Sequence, residues 1–220
     1  MKALFTMQLS LHIFYKKING GKMKLKEIVV SQELEELYEK LVHENWVGTN
    51  WEKHSKVPNK AKGTAGEKIA QIYFKNYDNT IESRKNEGHD LIINGHKVEI
   101  KFSMAKSSQA KAGFFINPNN WMFNHIEMGK DWDILCLFGI NPPQNWPKAH
   151  KKKQPWDEQV ILLVMKDNLK KIYNTPKWHE IFRKQQGGEG STNDDWLIDS
   201  QSRLKKFMEL PFVIKNPTKI

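Results

Sequence analysis

A chain that contains GHDLIINGHKVEIKFS, from Gly88 to Ser103, has little choice but to make a β-hairpin there. Asn94-Gly95 sits between two runs that alternate apolar and polar residues. Asn-Gly is the favoured pair for a two-residue type I′ turn, because both turn positions need positive φ. If the loop is those two residues, counting sets the register: Ile93 faces His96, Ile92 faces Lys97, Leu91 faces Val98 and Asp90 faces Glu99. Opposed residues share a face, and side chains alternate along each strand. One face then carries Leu91, Ile93, Val98, Ile100 and Phe102, interrupted by His96, and calls for a core. The other carries Asp90, Ile92, Lys97, Glu99 and Lys101 and reads as a wet face. On it two carboxylates stand about 5 Å apart at their β-carbons, which is repulsive unless a cation joins them.

The flanking sequence suits a mixed α/β fold. A helix is predicted over QELEELYEKLVHEN, capped by Ser31, and a second over TAGEKIAQIYFKNY, with Ala65, Ile69, Ala70, Ile72, Tyr73 and Phe74 as its apolar positions. After the hairpin, the aromatic-studded stretch MAKSSQAKAGFFINPNNWMFNHIEMGKD reads as part loop and part short helix. WDILCLFGI and QVILLVMK are apolar runs of strand length, and between them lies a Pro-rich loop bearing Lys151, Lys152 and Lys153. The expected architecture is a mixed central β-sheet flanked by helices.

A chain of 220 residues with 39% apolar content can bury a core as a single domain. Its formal charge of +10 and pI near 9.5 point to a polyanionic partner, nucleic acid before an anionic membrane. One cysteine, Cys136, excludes an internal disulfide and a Cys-rich zinc site, and its apolar setting reads as a buried structural thiol. The first residues, MKALFTMQLSLHIFYKK, lack a clear cleavage site and read as a strand or upstream extension, with Met23 a second start. No run is long enough to span a membrane, and a cytoplasmic location is expected.

The chemistry centres on Asp90 and Glu99. Mg²⁺ takes oxygen ligands and commonly uses one or two carboxylates, leaving waters and substrate phosphates to complete its shell. Lys101, two residues past Glu99, falls on the same face, where its ammonium can hold a water or a phosphate oxygen beside the metal. The bland alternative is an ordinary surface, with Lys97 and Lys101 neutralising Asp90 and Glu99 across the strands.

The string Asp90-x8-Glu99-Ile100-Lys101, preceded by Glu67 in KGTAGEKIA, resembles the PD-(D/E)XK nuclease family over roughly Lys62 to Ile140. The resemblance implies a restriction-endonuclease-like α/β core, with Asp90 and Glu99 as Mg²⁺ ligands. It also implies that Lys101 orients or activates the attacking water and that Glu67 assists metal or water binding. One departure is His89, which stands where the family usually has proline. Residues 1–60 are then an N-terminal strand and helix extension, 61–170 the catalytic core, and 171–220 a recognition or packing segment. The expected activity is Mg²⁺-dependent hydrolysis of double-stranded DNA by a type II restriction endonuclease, working as a homodimer on symmetric sites. A repair or structure-selective nuclease, or a non-catalytic nucleic-acid-binding module, are the alternatives.

Thr64, in the Gly63–Gly66 stretch, is a candidate phosphate neighbour at a helix start, although the glycines read equally as punctuation. Lys106, Lys111 and Lys151–Lys153 are candidate phosphate contacts, and Gln109 and Asn117 could read base edges. His89 and His125 could touch a phosphate or a base, but the structural reading is preferred for both. The tryptophans Trp121, Trp132 and Trp146 read as core or rim.

Overall fold

The Asn94-Gly95 turn forms with φ of 49° and 85°, and the strands pair Ile93 with His96, Ile92 with Lys97 and Leu91 with Val98. This is the register obtained by counting. The computed structural model describes residues 46, 48–50, 52–55, 59–77, 79–82, 88–110, 113–146, 149, 155–185, 194–218 and 220. All lie within the unit Glu44–Ile220. The helix expected after Ser31, the N-terminal strand, Lys111 and Lys151–Lys153 lie outside the described residues.

After a helical turn at Glu52–Ser55 come helix α1 (Asn59–Lys75) and strands β1 (Ile81–Glu82), β2 (Leu91–Ile93) and β3 (His96–Met104). Next are β4 (Ser107–Ala110), β5 (Gly113–Ile116), β6 (Phe123–Glu127), β7 (Ile134–Ile140) and β8 (Gln159–Met165). The remainder is α2 (Lys166–Lys170), α3 (Pro176–Ile181), β9 (Arg183–Lys184), β10 (Asp195–Ile198), α4 (Gln201–Met208) and β11 (Ile214–Lys215). Six strands form the central sheet in the order β1-β2-β3-β7-β8-β11. It is mixed: β3 and β7 run parallel, and the other neighbours are antiparallel. A second sheet has the order β6-β10-β9, and β4-β5 is a separate ribbon. The fold is therefore mixed α/β with helices against a mixed central sheet. The stretch expected to hold a short helix contains β4, β5 and β6 instead. Its aromatic and β-branched residues take up sheet positions, which suit their side chains.

Helix α1 covers the face of β3 that carries the even-numbered residues. A Cβ at Gly66 would stand 2.3 Å from Phe102 Cβ, so this glycine sets how closely the helix approaches the strand. Phe102 stacks on Phe138 at 5.7 Å, Tyr73 meets Phe138 edge-on at 5.9 Å, and Ala70 and Phe74 are fully buried. The helix begins at Asn59, one residue after Pro58. Gly63, Thr64 and Gly66 are thus helical interior rather than a helix start, and Gly66 is a packing residue rather than punctuation.

The other face of β3 was expected to be wet, but it is largely covered. Trp121 lies over Gly139 of β7, where a Cβ would come within 2.5 Å, and its indole donates to the Ile140 carbonyl. The Met122 amide donates to Ser103 Oγ at 3.1 Å, which brings the start of β6 across β3. Glu99 pairs in register with Leu135 and Lys101 with Leu137, both fully buried. Such strands, buried on both sides, read as the continuous apolar runs seen in the sequence. Behind the small sheet, Trp196 meets Trp178 at 5.3 Å and Trp178 stacks on Phe182 at 3.9 Å. Helices α3 and α4 carry side-chain caps. Thr175 before Pro176 accepts the Trp178 amide, and Ser200 accepts the Arg203 amide.

Candidate active site

Asp90 is set just outside the ladder. Its amide donates to the Val98 carbonyl at 3.0 Å, one residue short of the Glu99 that counting placed opposite it. Its Oδ2 accepts the Ile100 amide at 2.6 Å, and this bond ties the carboxylate to β3. Gly88 makes the approach possible: at φ +82°, a Cβ there would stand 2.8 Å from the Asp131 backbone nitrogen. His89, the departure from the proline pattern, is buried, and its Nδ1–H donates to the Asp131 carbonyl at 3.1 Å. The residue in the proline position therefore fastens the Asp90 segment to the loop between β6 and β7.

Glu99 is only 4% exposed. Lys101 Nζ stands 2.7 Å from its Oε1. A second ammonium, on Lys130, lies 4.0 Å from the same oxygen and pairs with Glu127 at 2.8 Å. Burial pushes the carboxyl of Asp90 above its ordinary range, against the Ile100 hydrogen bond that lowers it, and the nearby Glu67 charge pushes the same way as burial. Burial likewise raises Glu99; Lys101 and Lys130 oppose this, and the Asp90 charge adds to it. For Lys130, burial favours the neutral amine, but the Glu127 ion pair and the charges of Glu99 and Asp90 outweigh it and raise its pKa. Asp90 is influenced by Glu67, Lys101 and Lys130, and Glu99 by Asp90, Lys101 and Lys130, so these charges meet around the two carboxylates.

The donor set, two carboxylates, suits a hard cation in its chemistry. Each of the two carboxylates is held through one oxygen, Oδ2 by Ile100 and Oε1 by Lys101. Among the described residues, Asp90 Oδ1 and Glu99 Oε2 accept no hydrogen bond. Two open oxygens on raised-pKa carboxylates are what a cation with a partly aqueous shell can use. Among the described residues no three His, Cys, Asp or Glu side chains form a metal-holding group by themselves.

The remaining candidates scatter. Lys97 pairs with Asp131 at 2.5 Å rather than with Asp90. Glu67 is half-buried in the body of α1, beyond its first turn. Thr64 is exposed on α1. Lys106 is exposed after β3, and burial lowers its pKa, with its ammonium 3.3 Å from Met122 Sδ. Gln109 is on β4, and Asn117 follows β5 with its amide bonded to the Lys106 carbonyl. Trp121 and Trp132 are core. Sequence reading missed Lys130 and Glu127. The available signal was the run EMGKD just before the apolar strand β7: a glycine turn that delivers a lysine to the end of the strand beside Glu99.

No family model matches the chain, and no curated protein matches it. Among solved structures it is similar to the crystal structure of the restriction endonuclease BglI bound to its DNA recognition sequence. The match has 11% sequence identity, covers 85% of each chain and gives a TM-score of 0.28. At that overlap nothing about the site transfers. No helix among the described residues is long and apolar enough to cross a membrane.

Proposed function

We propose that this chain is a Mg²⁺-dependent endodeoxyribonuclease of the PD-(D/E)XK type, acting on double-stranded DNA as a type II site-specific restriction enzyme. One observation carries the reading: a buried carboxylate, Glu99, and a half-buried one, Asp90, repel each other, each keeps an open oxygen, and an ammonium stands 2.7 Å from Glu99. The resemblance of Asp90, Glu99 and Lys101 to the family's motif gives that geometry its chemistry. Asp90 Oδ1 and Glu99 Oε2 would hold the cation, with Glu67 assisting. The chemistry such a cation would supply there is a lowered pKa for a coordinated water and an offset of charge on the phosphate. Lys101, anchored on Glu99, holds the attacking water or a phosphate oxygen through its ammonium. Lys130 adds a second positive charge where the phosphodiester gains negative charge, the kind of preorganised stabilisation that lowers a barrier. A net charge of +10 favours the DNA backbone as partner. Symmetric sites would call for a two-fold dimer.

The test is incubation of the purified protein with several plasmids, with and without Mg²⁺. Discrete, reproducible fragments that require Mg²⁺ are expected. Smearing or nicking alone would replace site-specific restriction with a repair or structure-selective activity. Intact DNA under all conditions would reject the nuclease reading.

A further inference from the structure

The small sheet carries a second group of polar residues that the carboxylate cluster does not use. Asp195 on β10 is 1% exposed, and its Oδ2 accepts from His125 Nδ1 at 2.9 Å. Its other oxygen, Oδ1, is buried and has no hydrogen-bond partner among the described residues. A buried carboxylate with one unmet oxygen is costly, and among the described residues the His125 ring is the side chain paired with its other oxygen. A carboxylate on Nδ1 also fixes which nitrogen faces outward: Nε2, on a side chain 52% exposed. The Gln185 amide nitrogen lies 3.5 Å from Nδ1 and 3.3 Å from Nε2, nearly equidistant, so it lies across the ring rather than capping either nitrogen.

The backbone also departs from regular sheet to hold this ring. Trp196 pairs with Ile126 and Ile198 with Phe123, so Asn124 and His125 together oppose Leu197. His125 is the bulged residue, at φ +55°. Bulges of this kind re-aim a side chain. The direction is settled by register. Asp195 opposes Glu127, opposed residues share a face, and His125 reaches Asp195, so all three lie on one side of the small sheet. Ile126 and Trp196 lie on the other side, in the core. Glu127 is the residue that pairs with Lys130 near Glu99. His125 therefore stands two residues from Glu127 on the same side of β6.

The geometry points to a phosphate-binding subsite at His125, oriented by Asp195, that takes a DNA backbone phosphate neighbouring the one at Glu99 and Lys101. It rests on the nuclease reading above. With a proton on each nitrogen the ring would donate Nδ1–H to Asp195 and Nε2–H to a phosphodiester oxygen, a charge-assisted bond of the kind used for backbone contacts.

The experiment is duplex DNA binding by fluorescence anisotropy in EDTA, where Mg²⁺-dependent cleavage is off, over a series of salt concentrations. His125→Asn keeps a residue that tolerates positive φ but removes the charge, and His125→Arg retains a charge. Thermal unfolding of each variant verifies that it is folded. His125→Asn is expected to bind roughly three- to tenfold more weakly. Its slope of log K against log salt should be shallower by about 0.9, the contribution of one neutralised phosphate, and His125→Arg should restore the slope. Tight wild-type binding with the same slope in His125→Asn would overturn the subsite and leave the nuclease reading standing. No wild-type binding to duplex DNA would overturn both.

Discussion

Lys130→Met removes one ammonium from the cluster and keeps a side chain of similar length. Two unit charges 4 Å apart interact by about 4 kcal/mol at an effective dielectric constant near 20. Lys130 Nζ is 4.0 Å from Glu99 Oε1, but its side chain is 37% exposed. Solvent screening takes the larger part, and about 1–2 kcal/mol remains. If that charge acts on the developing transition state, the loss is roughly 5- to 30-fold in kcat. The Mg²⁺ requirement should move the other way. With one competing cation gone, half-maximal activity should need less Mg²⁺, whereas loss of a ligand would demand more. The assay is single-turnover cleavage of a plasmid or oligonucleotide duplex across a Mg²⁺ titration. An unchanged rate at saturating Mg²⁺ would refute the role given to Lys130. A rate restored by raising Mg²⁺ would show that it serves metal binding instead.

Asp90→Asn should abolish Mg²⁺-dependent cleavage yet raise the Tm of the metal-free protein by a few degrees near pH 7. The native carboxyl is raised above its ordinary value, mainly by burial, so the folded state binds its proton more tightly than the unfolded state. The wild type therefore gains stability as pH falls through the raised value, and the advantage of the amide variant should shrink over that range; an equal advantage at every pH would be the wrong result. Gly66→Ala should destabilise by about 1–2 kcal/mol in urea unfolding, because overpacking costs about 1–3 kcal/mol or more and exceeds the helix-propensity gain of about 1 kcal/mol. The clash is with Phe102 Cβ and Cγ, which cannot swing aside; an equal or higher urea midpoint would contradict it. Cys136 is fully buried with its thiol pushed up by burial, so iodoacetamide should label it only as fast as the protein unfolds. Rapid labelling of the native protein would show that β7 is open to solvent.

The hairpin was legible because Asn-Gly and strict alternation specify a turn and a register together. The strands β7 and β8 were legible because burial on both faces leaves no room for polar residues. What could not be read was how the second face of β3 is covered. The pattern of Lys97, Glu99 and Lys101 looks like a solvated face, and nothing local to it says that β6 and Trp121 lie over it. The same gap hid Lys130, whose place depends on a loop far along the chain from Glu99. Counting also cannot see that Asp90 leaves the ladder, since its amide selects Val98 and its carboxylate selects Ile100. The helix start was missed because Gly63 and Gly66 look like punctuation, while Gly66 is there for close contact with Phe102.

Burial of Glu99 and the rigidity of the loop that carries Lys130 belong together. A carboxylate 4% exposed needs compensating charge that does not wander. Lys101 supplies one ammonium from the same strand. Lys130 comes from a loop whose backbone is tied to other elements. The Gly129 amide donates to Asp194 Oδ2 at 2.8 Å, the Trp132 indole donates to the Glu127 carbonyl at 2.8 Å, and Lys166 Nζ donates to the Lys130 carbonyl. His89 holds the Asp131 carbonyl from the side that bears Asp90. An ammonium fixed in this way can neutralise Glu99 in the absence of a cation without moving to do so. Because both lysines address Oε1, that neutralisation leaves Oε2 of Glu99 and Oδ1 of Asp90 open. The arrangement thus offsets the cost of burying Glu99 beside Asp90 while keeping the two oxygens that a divalent ion would need.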